Sequence, residues 1–584
     1  MRFLPLLFLS VASIATAGEP FLKEINKETH IIGNDIWNVT IGAKYGTKLF
    51  YKGVNLVGKA AGHYVTYSVP AGVQTISWNY SAPYIFSKTP EYTDIVFSAP
   101  QGDLHWVISR TLAGAYQYFV NRALSAEAVE FRTLWRLANN TFTHAHTSER
   151  DEAFPALSDY SAPGVTKVQD ETWQRPDGTY LTKYDFSTFL TNVEGDLTFW
   201  GVRGRLGGNG RGIGSWYIHG GKDYLNGDHL KQELQLHRES KTGDAVQLNM
   251  IHGSHFQASS NDSFPVGKIW GPWLWYLNDG SPEDAAARAK AENAAWPYAW
   301  LKANSSYHLR GSISGCIALS DGRPASNAAV FLGDNYPTRT TLDQGSNNYY
   351  RTYANADGCF SISNVREGTW NLQIWPNGGS IGDVTTVFSQ NDVTTKANTV
   401  TDLGILTWAT QGRKPIWQIG EIDRKATGFA QSGPPHKHAM IDNCPANLTY
   451  TVGQSVTKDW CFAQGAVGTW TVLFDVATAN TANPTLPAAI LSVSLAAYSA
   501  TAEKISSFRV SLNGVSLGGL VPANTTKDPA VYRSGTLAGE WRYFEIPVQA
   551  GLVKVTGNKL EITVKKRASR WSGIMWDSLL MEFV

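Results

Sequence analysis

The chain has 584 residues, and its 50 Lys and Arg against 49 Asp and Glu leave a formal charge of +1 with no long basic run, which excludes nucleic acid as the main partner. Charged residues make up only 17 %, while 12 % are aromatic, including 21 tryptophans. Most of these rings belong in a core, but a surplus in a glycine-rich chain also suits carbohydrate, because flat rings cover the apolar faces of pyranoses.

Residues 1–17, "MRFLPLLFLSVASIATA", read as a secretory signal: a basic residue, an apolar stretch and a small-residue ending, too short to span a bilayer. Nothing later is apolar enough to cross a membrane. In the extracellular compartment this implies, the four cysteines are expected to pair as Cys316–Cys359 and Cys444–Cys461, although spacing alone leaves the connectivity open. Seven N-x-S/T sequons, at Asn38, Asn79, Asn139, Asn261, Asn304, Asn447 and Asn524, are available for glycosylation in a eukaryotic host.

From Gly18 to about residue 280 the chain reads as strand after strand. "HIIGNDIWNVTIGA", "HYVTYSVPAG", "LHWVISRTLAG" and "AYQYFVNRAL" are β-branched and aromatic, bounded by Gly, Pro or Asn. No helical pattern intervenes to carry parallel crossovers, so the sheets are expected to be antiparallel. One helix is predicted in "SPEDAAARAKAENAAWPYAWLKA", with Ser281 as N-cap, Pro282 in the first turn, Glu283 and Asp284 against the dipole, and Pro297 ending it. A second unit, from about Leu309, has the short strands and Gly/Asp turns of a small β-sandwich that the first cysteine pair would close. A third runs to the C-terminus and reads as a jelly roll of the carbohydrate-binding kind.

Three segments carry candidate chemistry. "EFRTLWRLAN" places Arg132 and Arg136 on one face, roughly 13 Å apart in a strand, suited to successive acidic units of a polymer. In "QRPDGTYLTKYDFS", Lys183 lies among aromatics; it either snorkels to water or, desolvated beside arginines, becomes a base near neutrality. In "LNMIHGSHFQ", His252 and His255 are three apart. A strand would point them to opposite sides, so a shared metal is disfavoured; the readings left are a histidine packed in a sheet or acid–base work by a single histidine. No G-x-S-x-G elbow appears, and no pair of carboxylates is marked out by spacing as a glycosidase would need.

"EFRTLWRL", "DGTYLTKYDF", "LNMIHGSHFQ", "KIWGPWLWYLN" and "WQIGEIDRKATGF" occur in the order found in rhamnogalacturonan lyases, and over nearly the whole chain the sequence resembles polysaccharide lyase family 4. The resemblance implies an all-β, three-domain protein. Residues 18–308 would form a galactose-mutarotase-like super-sandwich, 309–412 a fibronectin type III-like sandwich and 413–584 a jelly-roll carbohydrate-binding-like domain. It also implies a secreted, monomeric endolyase acting on rhamnogalacturonan I by β-elimination. In it Lys183 matches the catalytic lysine, taken as base, and His255 the catalytic histidine, taken as proton donor, while Arg132 and Arg136 bind substrate. No cofactor is expected for catalysis, and a structural calcium is compatible with the family. Short fungal members carry tyrosines where this chain has Leu248 and Met250, so contacts beside His255 are expected to differ. The rival readings are a glycoside hydrolase on the same polymer and a non-catalytic pectin-binding protein.

Overall fold

A computed structural model describes residues 18–42, 45–190, 196–225, 231–256, 264–336, 338, 347–476, 485–499, 508–520, 528–567 and 569–584. The signal segment 1–17 and the sequons at Asn261 and Asn524 lie outside the described residues. The fold is all-β as expected, with antiparallel pairing dominant and one well-formed α-helix, Pro282–Ala295, among the described residues. Its Ser281 side chain accepts from the Asp284 N–H at 3.1 Å, and the helix stops just before Trp296–Pro297. It docks Ala285 and Ala289 on Trp216, Ile218 and Leu274 of a large sheet.

That sheet has nine strands and faces a five-stranded sheet ordered Leu236–Arg238, Ala245–His252, Glu130–Leu137, His63–Val69, Gly72–Thr75. The two-residue alternation of Glu130–Leu137 sorts its side chains between the faces. Phe131, Thr133 and Trp135 point into the interlayer, where Trp135 stacks on Trp275 at 4.5 Å, Phe131 meets Trp270 at 5.3 Å and the Thr133 hydroxyl lies 3.3 Å from that of Tyr217. Glu130, Arg132 and Arg136 are left on the opposite face. Leu134 shares that face and is covered by a small apolar cluster with Tyr184, Leu248, Met250 and Phe256. This strand is thus buried on both sides yet carries three charged residues.

The second unit packs a three-stranded sheet, including a parallel pair between Arg310–Leu319 and Val400–Trp408, against a four-stranded one. The disulfide Cys316–Cys359 forms, but the expectation that it closes the sandwich is corrected. The two cysteines are register partners on neighbouring antiparallel strands of one sheet, so the bond staples a ladder rather than joining two layers. The core between the sheets, with Ile313, Val330, Leu372 and Trp408, holds the layers by burial. The third unit is a sandwich of two five-stranded sheets around Trp460, Trp470 and Trp576, and Cys444–Cys461 also forms.

Both smaller units touch the first. Against the second, Asp223 is fully buried and its Oδ2 accepts from Arg310 at 3.0 Å and Arg366 at 3.1 Å, with both guanidiniums lying over the Tyr307 ring. Against the third, Asp185 accepts from the Ser534 hydroxyl at 2.7 Å and the His438 N–H at 3.1 Å, while Gln232 donates to the Ser534 carbonyl at 3.0 Å.

Candidate active site

The segment "HGSH" holds two unlike histidines. His252 ends the strand Ala245–His252 opposite Phe131, on the interlayer face, fully buried with its ring edge-on to Phe264 at 4.8 Å. Gly253 then takes φ +72°, a left-handed conformation that glycine adopts without strain, and the strand ends there. The Ser254 hydroxyl is tied to the Gln232 carbonyl. His255 therefore emerges on the other face, with Nδ1 3.3 Å from Glu130 Oε1 and its ring 6.4 Å from that of Tyr184. Two residues, one of them a glycine, separate a packing histidine from a charged-site histidine.

Lys183 arrives from a different direction. The ribbon Thr166–Gln169, Thr172–Gln174, Tyr180–Thr182 ends in a 3-10 turn, Lys183–Phe186, whose first free N–H groups are capped by the Thr182 hydroxyl accepting from Tyr184 N at 3.3 Å. The hairpin turn at Asp170–Glu171, with Glu171 at φ +43°, swings Asp170 over the lysine. Lys183 Nζ donates to Asp170 Oδ2 at 2.7 Å; the lysine side chain is 9 % exposed and the aspartate 69 %. The amine also lies 5.4 Å from the centre of the Tyr184 ring.

Arg132 joins this group, donating through Nε to Thr66 at 3.0 Å and through Nη1 to Glu130 at 3.2 Å. Glu130 thus faces Arg132 and His255 together. Arg136 is held apart: it donates to the Tyr64 hydroxyl at 2.9 Å and to Glu239 at 3.5 Å. Of the four residues predicted from the sequence, three form one cluster and Arg136 flanks it.

The electrostatics follow from burial and an excess of cations. Burial drives the Lys183 amine below the usual lysine range; the Asp170 carboxylate opposes this, and Arg533 and Arg132 reinforce it. The His255 imidazole lies well below the ordinary histidine range, first through burial and then through Lys183, Arg132, Arg533 and His237. At neutral pH it carries no charge. An anionic ligand entering such a site gains from fixed cations whose field is little screened.

Sequence reading missed Glu130 as the partner of His255, Asp170 as the partner of Lys183, and the contribution of the third unit. Arg533 donates to the His255 carbonyl and lays its guanidinium 4.4 Å from the Tyr184 ring centre. His438 stacks on the same ring at 5.8 Å, with an interplanar angle of 18°. The alternation of Glu130 with Arg132 was a usable signal for the first. None existed for Arg533, about 350 residues from Lys183 in the sequence. A groove of about 1020 Å³ between the first and third units, lined by Arg150, Tyr180, Asp185, His438 and Arg570, adjoins the turn that carries Lys183. Among the described residues, no group of three or more His, Cys, Asp or Glu is placed to hold a metal ion.

Residues 320–403 match the family described as polysaccharide lyase family 4, domain II, and residues 415–581 match domain III of the same family. A rhamnogalacturonate lyase of Dickeya dadantii is 30 % identical, over 96 % of this chain and 95 % of its own length. This chain belongs to polysaccharide lyase family 4. It is accordingly a polysaccharide lyase, built from the super-sandwich and the two smaller sandwiches described above. More distant members include a probable rhamnogalacturonate lyase B of Aspergillus flavus, 23 % identical over 76 % of this chain and 74 % of that one. Its counterpart in Aspergillus niger is 26 % identical over 56 % of this chain and 49 % of that one.

Proposed function

We propose that the protein is a secreted endolyase that cleaves the Rha-(1,4)-GalA linkage of rhamnogalacturonan I by β-elimination. The observation that carries this reading is the convergence of Lys183, His255 and Arg132 from three separate segments into one buried, cation-rich cluster. Relatives named as rhamnogalacturonate lyases support the substrate class.

The chemistry needs a base for the C5 proton of galacturonate, a cation for its carboxylate and a proton for the departing O4. As the C5–H bond breaks, its electron pair forms the C4=C5 double bond and the C4–O4 bond breaks. Arg132 neutralises the carboxylate and stabilises the enolate-like charge. Lys183 is the base: burial and the two arginines favour its neutral form, and the exposed Asp170 is free to swing off the amine as substrate enters. His255 protonates O4. The incoming carboxylate offsets the cations around the imidazole and so raises its affinity for the proton it must carry.

A second reading is favoured by one observation, the neutrality of His255 among cations. A neutral imidazole accepts a proton, and the Lys183 ammonium paired with Asp170 would then be the donor. A substrate whose leaving group needs no proton separates the two readings. Loss of the acid is then tolerated and loss of the base is not, so His255→Ala keeps activity on it under the first reading and Lys183→Ala under the second.

The reaction class is tested by incubating the protein with rhamnogalacturonan I and following ultraviolet absorbance of the unsaturated uronate. A rise with rapid loss of chain length is expected. A hydrolase would shorten the polymer without absorbance, and a binding protein would do neither; either outcome on folded protein removes the lyase reading.

A further inference from the structure

Arg533 sits in the third unit, just after the short turn Pro529–Val531, yet its guanidinium ends inside the cluster of the first. It makes two kinds of contact there. One Nη donates to the main-chain carbonyl of His255, the residue that Gly253 has just turned out of the sheet. The guanidinium plane also covers the Tyr184 ring at 4.4 Å, and that ring is next in sequence to Lys183 and stacked from another side by His438. The neighbouring Ser534 is bonded through its hydroxyl to Asp185 and through its carbonyl to Gln232, so the segment is pinned on both sides. Among the described residues no ion pair neutralises Arg533; Asp170, the acid that senses its charge, is already bonded to Lys183.

We propose that Arg533 is a positioning residue of the catalytic centre, by which the C-terminal sandwich holds the His255 backbone and the Tyr184 ring in place and sets an unpaired positive charge beside Lys183. The inference rests on reading Lys183 and His255 as the acid–base pair. It assigns the third unit a part in the chemistry in addition to any part in gripping polymer. Two properties follow. Without the guanidinium, His255 loses a main-chain restraint three residues beyond the end of the strand. Without the charge, the lysine amine holds its proton more tightly, because a neighbouring cation disfavours the ammonium form.

The charged and titratable groups around Lys183 come from five elements. Asp170, with Lys167 beyond it, lies on the hairpin; Glu130 and Arg132 are on the arginine strand; His237 is on Leu236–Arg238, two strands away in the same sheet. His255 follows the strand Ala245–His252, and Arg533 comes from the third unit. Asp170 raises the proton affinity of the amine, while Arg132 and Arg533 lower it. A change at Arg533 therefore has a defined sign.

The test compares the full-length protein with Arg533→Met and Arg533→Gln, which remove the charge, and Arg533→Lys, which keeps it. Arg533→Gln also keeps hydrogen-bond donors, so it serves if the methionine variant fails to fold by thermal melting. The first readout needs no turnover: cyanate carbamylates only neutral amines, and mass spectrometry of the Lys183 peptide across pH gives the titration midpoint of that amine. Both neutral variants should move the midpoint up by on the order of one pH unit, as expected for loss of one nearby charge. Arg533→Lys should stay near the wild-type midpoint. The second readout is kcat against pH, whose acid limb should move up by the same amount in the neutral variants. An unchanged Lys183 midpoint in a folded neutral variant, or an equal shift in Arg533→Lys, overturns the proposal. If wild type releases no unsaturated uronate while the labelling midpoints still shift, the lyase reading fails and the coupling of Arg533 to Lys183 stands.

Discussion

The two seams of the first unit use the same materials to opposite ends. At the seam with the second unit, Asp223 takes both Arg310 and Arg366 onto one carboxylate oxygen over the Tyr307 ring. At the seam with the third, Arg533, Lys183 and Arg132 gather around Tyr184 and His255 with Glu130 and the exposed Asp170 as counter-charges. Each seam therefore has buried guanidiniums, a tyrosine and carboxylates. In the first the ions are locked into direct, fully buried contact, which makes them a fastener. In the second the ions are partly open: Asp170, paired with Lys183, is 69 % exposed, so solvent reaches the edge of the cation cluster. Accessibility, not residue type, separates the two seams.

The largest effect that sharpens this comparison is expected at the seam with the third unit. Lys183→Ala should nearly abolish turnover, and His255→Ala should lower kcat by roughly 10²–10⁴-fold, both with melting temperatures close to wild type. Polymer binding, followed by affinity electrophoresis, should survive in both, because the cations and aromatics that grip the chain remain.

The converse holds at the other seam. Asp223→Asn leaves two buried guanidiniums without their counter-charge and should cost about 3–5 kcal/mol by denaturant unfolding. The kcat of the protein that stays folded should change little. A folded Asp223 variant as inactive as Lys183→Ala would break the distinction between the seams.

Acid should act on the seams with opposite sign. Burial pushes the Asp223 carboxyl up, but Arg366 and Arg310 outweigh it and hold it below the ordinary range. Its contribution is present above the unfolded pKa and lost as pH falls through the folded value. Asp185, raised by burial to about 6, contributes most below the unfolded pKa, and that contribution is lost as pH rises towards about 6. Between pH 4 and 6, Asp185→Asn should therefore remove a downward slope of stability with pH, readable as a change of a few degrees in the trend of melting temperature.

Smaller effects are expected at the edge and in the core. Asp170→Asn should move the acid limb of kcat to lower pH, because Asp170 raises the proton affinity of Lys183. His252→Ala should keep kcat within about an order of magnitude and instead lower stability, since its buried ring packs on Phe264. A dead but folded His252 variant beside an active His255→Ala would reverse the roles of the two histidines.

Much of this was written in local sequence. Alternation along Glu130–Leu137 dictates a strand with Phe131 and Trp135 inward and the arginines outward, because a strand has period two whatever surrounds it. The helix from Pro282 was legible from its cap, its alanines and Pro297, all of which act within a few residues. The all-β class was readable for the same reason. Tertiary structure alone decided which charges share a cavity. Glu130 meets His255, Asp170 closes over Lys183 and Arg533 crosses from another unit, because sheet pairing and domain docking bring together segments that no spacing rule connects. It also decided that Cys316–Cys359 staples neighbouring strands of one sheet, since register is set by the core against which both strands pack. Backbone periodicity is a property of neighbours along the chain; proton affinity is a property of neighbours in space, and only the folded molecule supplies those.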